Sequence, residues 1–297
     1  METFVELSKT LNLTKTAENL YLTQSAVSYR LKALEEDLGV ILIEREKGFK
    51  KIKLTSKGEE FKNIAMDFES INKSLLDFKT SVFVKEISIA LVDSINNYFL
   101  KDVYKYFFKD ESIKLILKTE HTNEIYNQIS NRTVDIGFVP RDIKKQNVVT
   151  EEIVNEEMIM ATRSSKFNGV NHIDANDLDV KKLIFLYWGD SYINWHIENF
   201  GDIESFRIQV DSSLLSFELM DKESWMVIPV SVAENLKQKF PDINLVPFDK
   251  NPPQRTIYMI SHTNPLYSNE GTVKEFKESI HSHINDLQVS RFIKTKK

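Results

Sequence analysis

The hydrophobic pattern of the first forty residues predicts three short helices in quick succession. The first, at about residues 2–11, has apolar residues at helical spacing: Phe4, Leu7 and Leu11. The second is expected to begin at Thr14 as its N-cap, and its buried residues are Ala17 and Leu20. The third starts at Thr23 or Gln24 and ends at Gly39. Its apolar stripe follows the spacing i, i+4, i+7 and i+11: Val27, Leu31, Leu34 and Leu38.

The third helix carries a polar face opposite that stripe. This face and its flanks present hydroxyls, an amide, a tyrosine and basic groups: Gln24, Ser25, Ser28, Tyr29, Arg30 and Lys32. Such side chains match the donors and acceptors that base pairs present in the major groove of DNA. Taken alone, such a face is more often a surface that only contacts solvent.

A β-hairpin with a basic tip is predicted directly after the third helix. The segment "ILIEREKGFKKIKLT" has two apolar-alternating runs around a Lys-Gly turn. Its lysines Lys50, Lys51 and Lys53 can lie along DNA phosphates and give salt-sensitive affinity that is independent of sequence. A tight helix pair followed by such a hairpin is typical of a winged helix-turn-helix. The sequence therefore predicts a DNA-binding head over residues 1–58.

The clearest periodicity in the chain follows this head, in residues 59–85. Apolar residues are spaced 3-4-3-4-3-4 over three heptads: Phe61, Ile64, Phe68, Ile71, Leu75, Phe78 and Val82. One helix cannot bury this stripe by itself, so the stripe packs either on a later part of the chain or on a second copy. We favour a helix pair between two chains, which would hold two heads over two DNA half-sites.

From residue 86 onward, strands alternate with helices. The predicted strands include "EISIALV", "IKLILKT", "VDIGFV", "LIFLYW" and "RTIYMISH". This alternation is typical of an α/β fold with parallel, helix-covered sheets. Residues 86–297 have room for two lobes, lobe I at about 86–161 and 263–297 and lobe II at about 162–262.

Residues at the ends of these strands are candidates for a ligand site. Ligands of two-lobed α/β folds bind at the C-terminal ends of strands and the N-termini of helices. The residues at those places are Ser94, Asn96, His121, Thr122, Trp188 and Asp190, with Asp93 beside them. A serine or threonine there is equally suited to cap a helix. Hydroxyls and helix N-termini favour an anion, whereas the aspartates favour an amine, so an amino-acid-like ligand would suit both.

The net charge of −5 is unevenly distributed along the chain. Residues 1–58 contain ten Lys and Arg against eight Asp and Glu, whereas the remainder contains 29 against 36. A mildly basic head on an acidic body is consistent with DNA contact at one end only.

Several functional classes are disfavoured by what the sequence lacks. Without cysteine, the chain has no disulfide framework, thiolate metal site or cysteine nucleophile. The sequence contains no G-x-G-x-x-G, Walker loop, G-x-S-x-G or H-E-x-x-H, so no catalytic residue, metal or cofactor is predicted. The start "METFVELSKT" does not resemble a secretory signal, and no apolar run reaches the ~18 residues of a membrane span. We therefore expect a cytoplasmic protein.

The run "AENLYLTQSAVSYRLKALEEDLGVILIEREKGFKKIKLTSKGEEF" resembles the N-terminal module of LysR-type transcriptional regulators. The residues that match the family's pattern are Ala17, Leu20, Gln24, Val27, Ser28, Leu34, Glu35, Leu38, Gly39, Arg45, Leu54, Thr55 and Gly58. In that family the positions of Gln24, Ser25, Ser28 and Tyr29 approach the DNA. The chain departs at Ser25, where proline is common, and at Tyr29, where a basic residue or histidine is frequent.

The resemblance also implies the rest of the architecture. It implies a dimerising linker helix, assembly as a homodimer or homotetramer, and a periplasmic-binding-protein-like effector domain. Ser94 and Thr122 match positions where family members often place hydroxyls that contact the effector. We therefore expect a regulator that binds promoter DNA and responds to a small molecule. The alternative is a cytoplasmic solute-binding or scaffold protein whose head contacts another protein.

Overall fold

The computed structural model of the chain describes residues 1–45, 52–80, 85–202, 205–266, 270–288 and 293–294. These residues form two compact units, the head with the long helix that follows it and the α/β remainder. The predicted hairpin lysines Lys50 and Lys51 lie outside the described residues. Val82 of the heptad stripe and the side chain of Phe78 also lie outside them.

The head is a winged helix-turn-helix, as predicted. Its elements are α1 (Glu2–Thr10), α2 (Leu13–Asn19), α3 (Gln24–Leu38), β1 (Ile43–Arg45) and β2 (Ile52–Leu54). The two strands pair antiparallel. Apolar side chains of every element meet in one core, which includes Phe4, Leu7, Ala17, Val27, Leu31, Ile43 and Ile52. Leu38 lies in the last turn of α3 and is 41% exposed, so the predicted stripe reaches the core only through its first three members.

The cap of α2 differs from the prediction. Asn12, rather than Thr14, is the N-cap, and its Oδ1 accepts the backbone N–H groups of Thr14 and Lys15 at 2.9 and 3.1 Å. Asparagine caps a helix at least as well as threonine. Helix α3 begins at Gln24, one of the two predicted starts, and Thr23 is its N-cap, because the Thr23 Oγ1 accepts the N–H of Ala26 at 3.2 Å.

Glu35 ties the hairpin to α3. Its Oε1 accepts the backbone N–H groups of Leu42 and Ile43 at 2.7 and 3.0 Å. A carboxylate that accepts two backbone donors fixes where the chain leaves the helix and enters β1. This contact gives a structural reason for a glutamate near the end of α3.

The hairpin is tied equally closely to the long helix α4 (Ser56–Thr80). The Oγ1 of Thr55 donates to the carbonyl of Ile41 at 2.7 Å and accepts the N–H of Gly58 at 2.9 Å. A Cβ on Gly58 would lie 2.1 Å from the carbonyl oxygen of Leu42. The position therefore requires glycine, because any side chain would overlap the backbone.

Helix α4 has two apolar faces with different environments. One face packs on the head, where Ala65 and Met66 are buried and the rings of Phe4 and Phe61 lie 5.2 Å apart. The other face carries four members of the heptad stripe that are each about half exposed: Ile64, Phe68, Ile71 and Leu75. Phe61 thus belongs to the head core rather than to the open stripe.

The second unit alternates strands and helices. From β3 onward the elements are β3 (Lys85–Leu91), α5 (Lys101–Phe107), β4 (Ile113–Thr119), α6 (Thr122–Ser130), β5 (Ile136–Val139), β6 (Val148–Glu156), β7 (Met158–Thr162), β8 (Ile184–Phe185), α7 (Asp190–Phe200), β9 (Ile208–Gln209), α8 (Ser213–Glu218), β10 (Trp225–Pro229), α9 (Val230–Lys239), β11 (Asn244–Val246), β12 (Arg255–His262), α10 (Glu270–Gln288) and β13 (Ile293–Lys294). A π-helical turn at Ile95–Phe99 precedes α5.

The strands form two lobes, as expected for the α/β class, but the sheets are mixed. Lobe I has a six-stranded sheet in the order β13-β6-β12-β5-β3-β4. Strand β3 runs parallel to β4 and β5, whereas β12 runs antiparallel to β5 and β6. Lobe II has the antiparallel sheet β10-β7-β11 and the parallel pair β8-β9. The predicted parallel pairing is therefore present in both lobes, but antiparallel strands complete each lobe.

The chain also crosses between the lobes earlier than predicted. Strand β7 pairs with β10 and β11 in lobe II, so the first crossing lies at Glu157 rather than near residue 162. Strand β12 belongs to the lobe I sheet, so the return precedes Arg255 rather than following residue 262. Strands β6 and β7 were not predicted, because the charged run "EEIVNEE" interrupts their apolar residues.

The close approach at Gly58 predicts a specific loss of stability. Gly58→Ala forces apart β1 and the start of α4 and should lower the free energy of unfolding by about 1–3 kcal/mol. The matched control is Gly271→Ala, because a Cβ there meets nothing within 4 Å. Urea unfolding followed by circular dichroism compares the two variants. Equal stability of Gly58→Ala and wild type would contradict the proposed contact.

Candidate ligand cleft and nucleic-acid interface

The structure brings the predicted DNA-contacting residues of α3 to one exposed helix face. The exposed side chains are Gln24, Ser25, Tyr29, Arg30 and Lys32. Tyr29 is 76% exposed, and Ser28 is half-buried between this face and the core side. A helix that leaves its polar face open and packs its apolar face on the head can enter a groove without unfolding.

Contacts within this face orient some of its side chains. The hydroxyls of Thr23 and Ser25 share a hydrogen bond of 3.0 Å at the start of the helix. Lys32 forms an exposed ion pair of 3.4 Å with Glu36, which is a weak interaction that contact with DNA can replace. In the hairpin, Lys53 is exposed on β2.

Tyr21 is a candidate that the sequence pattern did not identify. It lies in the turn between α2 and α3, is 96% exposed, and has a left-handed backbone with φ of 53°. A non-glycine residue in this conformation costs roughly 1–2 kcal/mol. An exposed aromatic ring at the entrance of α3 extends the polar face beyond the helix itself.

A cleft of about 450 Å³ opens between lobes I and II. On the lobe I side it is formed by residues that follow the parallel strands β3, β4 and β5. On the lobe II side it is formed by residues that follow the parallel strands β8 and β9. The C-terminal ends of parallel strands thus meet from both lobes, which is where ligands of such folds bind.

Four of the six predicted ligand residues line this cleft and two do not. The four are Ser94, His121, Thr122 and Trp188. The side-chain amide of Asn96 is instead engaged inside lobe I, since it donates to Thr119 Oγ1 at 2.8 Å and accepts from the Tyr104 hydroxyl at 3.0 Å. The carboxylate of Asp190 accepts a hydrogen bond from the hydroxyl of Tyr187.

The side chain of Arg255 lies at the floor of the cleft and was missed by the sequence analysis. It is buried, and its Nε and Nη2 both donate to Oε2 of the buried Glu156, the former at 2.9 Å. Its Nη1 donates to Ser94 Oγ at 2.7 Å, and its guanidinium carbon lies 5.4 Å from the centroid of the Trp188 ring. Burial, and then the charge of Glu156, raises the pKa of the neighbouring Glu234.

Two buried hydroxyls face the cleft with protons to donate. The Oγ of Ser94 accepts from Arg255, and no acceptor in the described part of the chain takes the hydroxyl proton of Ser94. Thr122 is a buried residue that lines the cleft, and its hydroxyl has no hydrogen-bond partner among the described residues. Thr122 is also the first residue of α6, whose first N–H groups have no partner within the helix.

Asp93 connects the two lobes across the cleft. Its Oδ2 accepts the backbone N–H of Ser213, at the start of α8, at 2.9 Å, and its Oδ1 accepts from Asn97 at 2.8 Å. Burial, and then the Asp93 carboxylate, raises the pKa of the Tyr98 hydroxyl to about 12. The lobes are therefore held together on one side of the cleft by a charged hydrogen bond.

The described residues show neither of two other kinds of site. No group of three or more histidine, aspartate or glutamate side chains among them is arranged to hold a metal ion. None of their helices combines the length and the apolarity that crossing a bilayer requires.

Comparison with known families identifies both units. Residues 1–59 match the family described as bacterial regulatory helix-turn-helix protein, lysR family. Residues 82–284 match the LysR substrate binding domain, which alone covers more than half of the chain. The chain belongs to the LysR family of transcriptional regulators. This LysR-type regulator therefore combines a DNA-binding helix-turn-helix with a domain that binds a small-molecule effector, and its family is one of regulators rather than enzymes.

Individual relatives agree with this assignment. The probable RuBisCO transcriptional regulator of Phaeodactylum tricornutum is 28% identical over 219 residues, which cover 70% of each chain. A full-length OxyR variant from Pseudomonas aeruginosa has a similar fold, with a TM-score of 0.62 at 18% identity over 94% of this chain and 92% of that chain. Full-length CbnR complexed with its target DNA gives a TM-score of 0.52 at 20% identity, over 95% and 98%.

Loss of the buried ion pair at the cleft floor is predicted to lower stability far more than loss of an exposed ion pair. Arg255→Ala leaves the carboxylate of Glu156 buried and unpaired, which should cost about 3–5 kcal/mol of stability. The control is Arg207→Ala, because Arg207 forms an exposed ion pair of 3.0 Å with Asp221 and should contribute at most about 1 kcal/mol. Urea unfolding measures both variants. Comparable losses would contradict the role assigned to the Arg255 pair.

Proposed function

We propose that α3 enters the major groove of promoter DNA and that the hairpin follows the adjacent phosphates. The observation that carries this proposal is the exposed polar face of α3. Gln24, Ser25, Ser28, Tyr29 and Lys32 contact base edges, where hydroxyl, amide and ammonium groups can read the pattern of donors and acceptors. Arg30 and the hairpin lysines Lys50, Lys51 and Lys53 supply contacts to phosphates, which position the head without reading sequence.

The effector is held in the cleft between the lobes. Support for this comes from Ser94 and Thr122, two buried hydroxyls whose protons have no acceptor in the described part of the chain. Together with the first N–H groups of α6, they form a concave set of donors that suits an anionic group. His121 and Trp188 complete the wall of this site, whereas Asn96 and Asp190 are left out of the proposal because they do not line the cleft.

The regulator acts as an oligomer in the cytoplasm, as a homodimer or a homotetramer. Support comes from the four apolar residues that α4 leaves exposed at heptad spacing, Ile64, Phe68, Ile71 and Leu75. A heptad stripe of this kind is buried by a second helix with the same repeat, and the same helix of another copy supplies it. A helix pair of this kind presents two heads to two half-sites of DNA.

Effector binding and DNA binding are coupled through the assembly. A ligand that draws the lobes together favours one packing of the subunits over another, and so changes the spacing or bend of the bound DNA. Coupling of this kind is typically worth about 1–3 kcal/mol, enough to change occupancy of a promoter 5- to 150-fold.

The proposed DNA contacts predict two different kinds of loss. Gln24→Ala should weaken binding to the regulator's own upstream DNA by about 1–3 kcal/mol and leave binding to scrambled DNA nearly unchanged. Lys53→Ala should weaken both about equally and reduce the salt slope by about 1. Fluorescence anisotropy across a salt series measures both, with Lys105→Ala in the other unit as a charge-matched control. Equal loss of specific and nonspecific binding in Gln24→Ala would contradict its assigned role.

The proposed helix pair predicts that a single charge separates the subunits. Ile71→Asp places a carboxylate in the apolar stripe and should shift the protein towards monomer, with its helical content retained because Ile71 is exposed in the single chain. Sedimentation equilibrium gives the mass of the assembly. Ile197→Asp, at an exposed position of α7, serves as the control. An unchanged mass in Ile71→Asp would exclude the stripe as the contact between copies.

A further inference from the structure

We propose that the effector is a zwitterion of the amino-acid type, with its carboxylate on lobe I and its ammonium group on lobe II. This inference rests on the proposed function, because it names the chemical class of the ligand held in the same cleft. It follows from the polar groups of the cleft wall, where lobe I presents hydroxyl and N–H donors and lobe II presents a carboxylate.

The buried ion pair does not make the cleft positive. Arg255 lines the floor, but two of its three donor nitrogens point to Glu156, and the pair carries no net charge. The other charged residues that line the cleft are one base and three acids: Arg141, Asp93, Glu120 and Asp211. A ligand that carries only negative charge would therefore enter a wall with an excess of carboxylates.

Lobe I offers several groups that are suited to a carboxylate. Ser94 and Thr122 offer hydroxyl protons, the first N–H groups of α6 have no partner within the helix, and Arg141 follows β5 at the same sheet edge. The Thr122 hydroxyl has no partner among the described residues and lines the cleft, so its proton is available to a ligand. A single carboxylate satisfies these donors together.

Lobe II offers an unpaired carboxylate for an ammonium group, and Asp93 of lobe I adds a second one. The Asp211 side chain follows β9, is exposed, and forms no hydrogen bond or ion pair within the described residues. Asp93 is beside it, since Asp93 accepts the N–H of Ser213 two residues further along the chain. Each oxygen of Asp93 accepts one hydrogen bond and retains a second lone pair that can accept from an ammonium group.

A zwitterion contacts both lobes through charge, which gives closure a physical cause. The carboxylate alone engages lobe I and leaves Asp211 without a partner, whereas the amine alone leaves the donors of lobe I unsatisfied. A molecule that carries both groups engages lobe I through its carboxylate and lobe II through its ammonium group, so the closed arrangement binds it more tightly than the open one. The apolar parts of the wall, Val92, Leu186, Trp188 and Val210, accommodate an uncharged side chain.

The test titrates the full-length protein by calorimetry with each of the twenty L-amino acids. For an amino acid that binds, the matched carboxylic acid without its amine and the matched amine without its carboxylate are titrated as well. We expect each truncated compound to bind about 10- to 100-fold more weakly, the usual effect of losing a hydrogen bond to a charged group. Failure of every amino acid to bind, or equal affinity for the carboxylic acid, would overturn the proposal.

Two variants, one in each lobe, test which lobe binds which charged group of the amino acid. Asp211→Asn should weaken binding of the amino acid about 10-fold or more and leave binding of the truncated carboxylic acid unchanged. Thr122→Val should weaken binding of both compounds. Asp177→Asn, an exposed aspartate of lobe II outside the cleft, is the matched control. If Thr122→Val weakens binding of a carboxylic acid while Asp211→Asn changes neither affinity, the effector is not a zwitterion, although it binds in the cleft. If neither variant changes the affinity of a bound amino acid, the cleft itself is wrong as the effector site.

Discussion

Both connections between the lobes depend on one buried ion pair. Glu156 is the last residue of β6 before the chain crosses to lobe II, Arg255 is the first residue of β12 after it returns, and the two are partners across the strands. The same guanidinium donates to Ser94 in lobe I and lies over the ring of Trp188 in lobe II. Neither member can leave the pair without leaving a buried charge unpaired, so the pair holds β6 and β12 together where the chain passes between the lobes. A ligand that engages Ser94 therefore lies next to both connections.

The head is organised by a different constraint, the fixed distance between its recognition helix and its hairpin. Glu35 holds the start of β1 to the end of α3, and Thr55 with Gly58 holds β1 to the start of α4. These contacts involve backbone groups, so they fix the frame and leave the exposed side chains of α3 available for DNA. The same frame leaves one face of α4 open, and that face is where a second copy binds in the proposed assembly. Each half of the regulator thus presents its functional surface on a rigid support.

The parts of the molecule that the sequence predicted are those that depend on local pattern. The helices of the head, the hairpin and the long α4 follow from residues within one or two turns of each other, and Ser94, His121, Thr122 and Trp188 follow from the rule that ligands meet strand ends. The wrong predictions concern residues whose partners are far away in the sequence. Apolar and polar residues do not alternate along β6, so the strand is recognisable only from its pairing with β12, about a hundred residues later. The lobe boundaries were misplaced for that reason. The same pairing places Arg255 in the cleft. Asn96 and Asp190 lie outside the cleft lining, and their side chains contact Thr119, Tyr104 and Tyr187 instead.

The central claim is that a molecule bound between the lobes changes how the head holds DNA. The most direct measurement is the affinity of the full-length protein for its own upstream DNA and for scrambled DNA, across a salt series, with and without pools of small metabolites. We predict that the protein prefers the upstream fragment, that its affinity falls steeply with salt, and that one pool changes the affinity for the upstream fragment about 5- to 150-fold. Equal affinity for both fragments, or no response to any pool, would contradict this prediction.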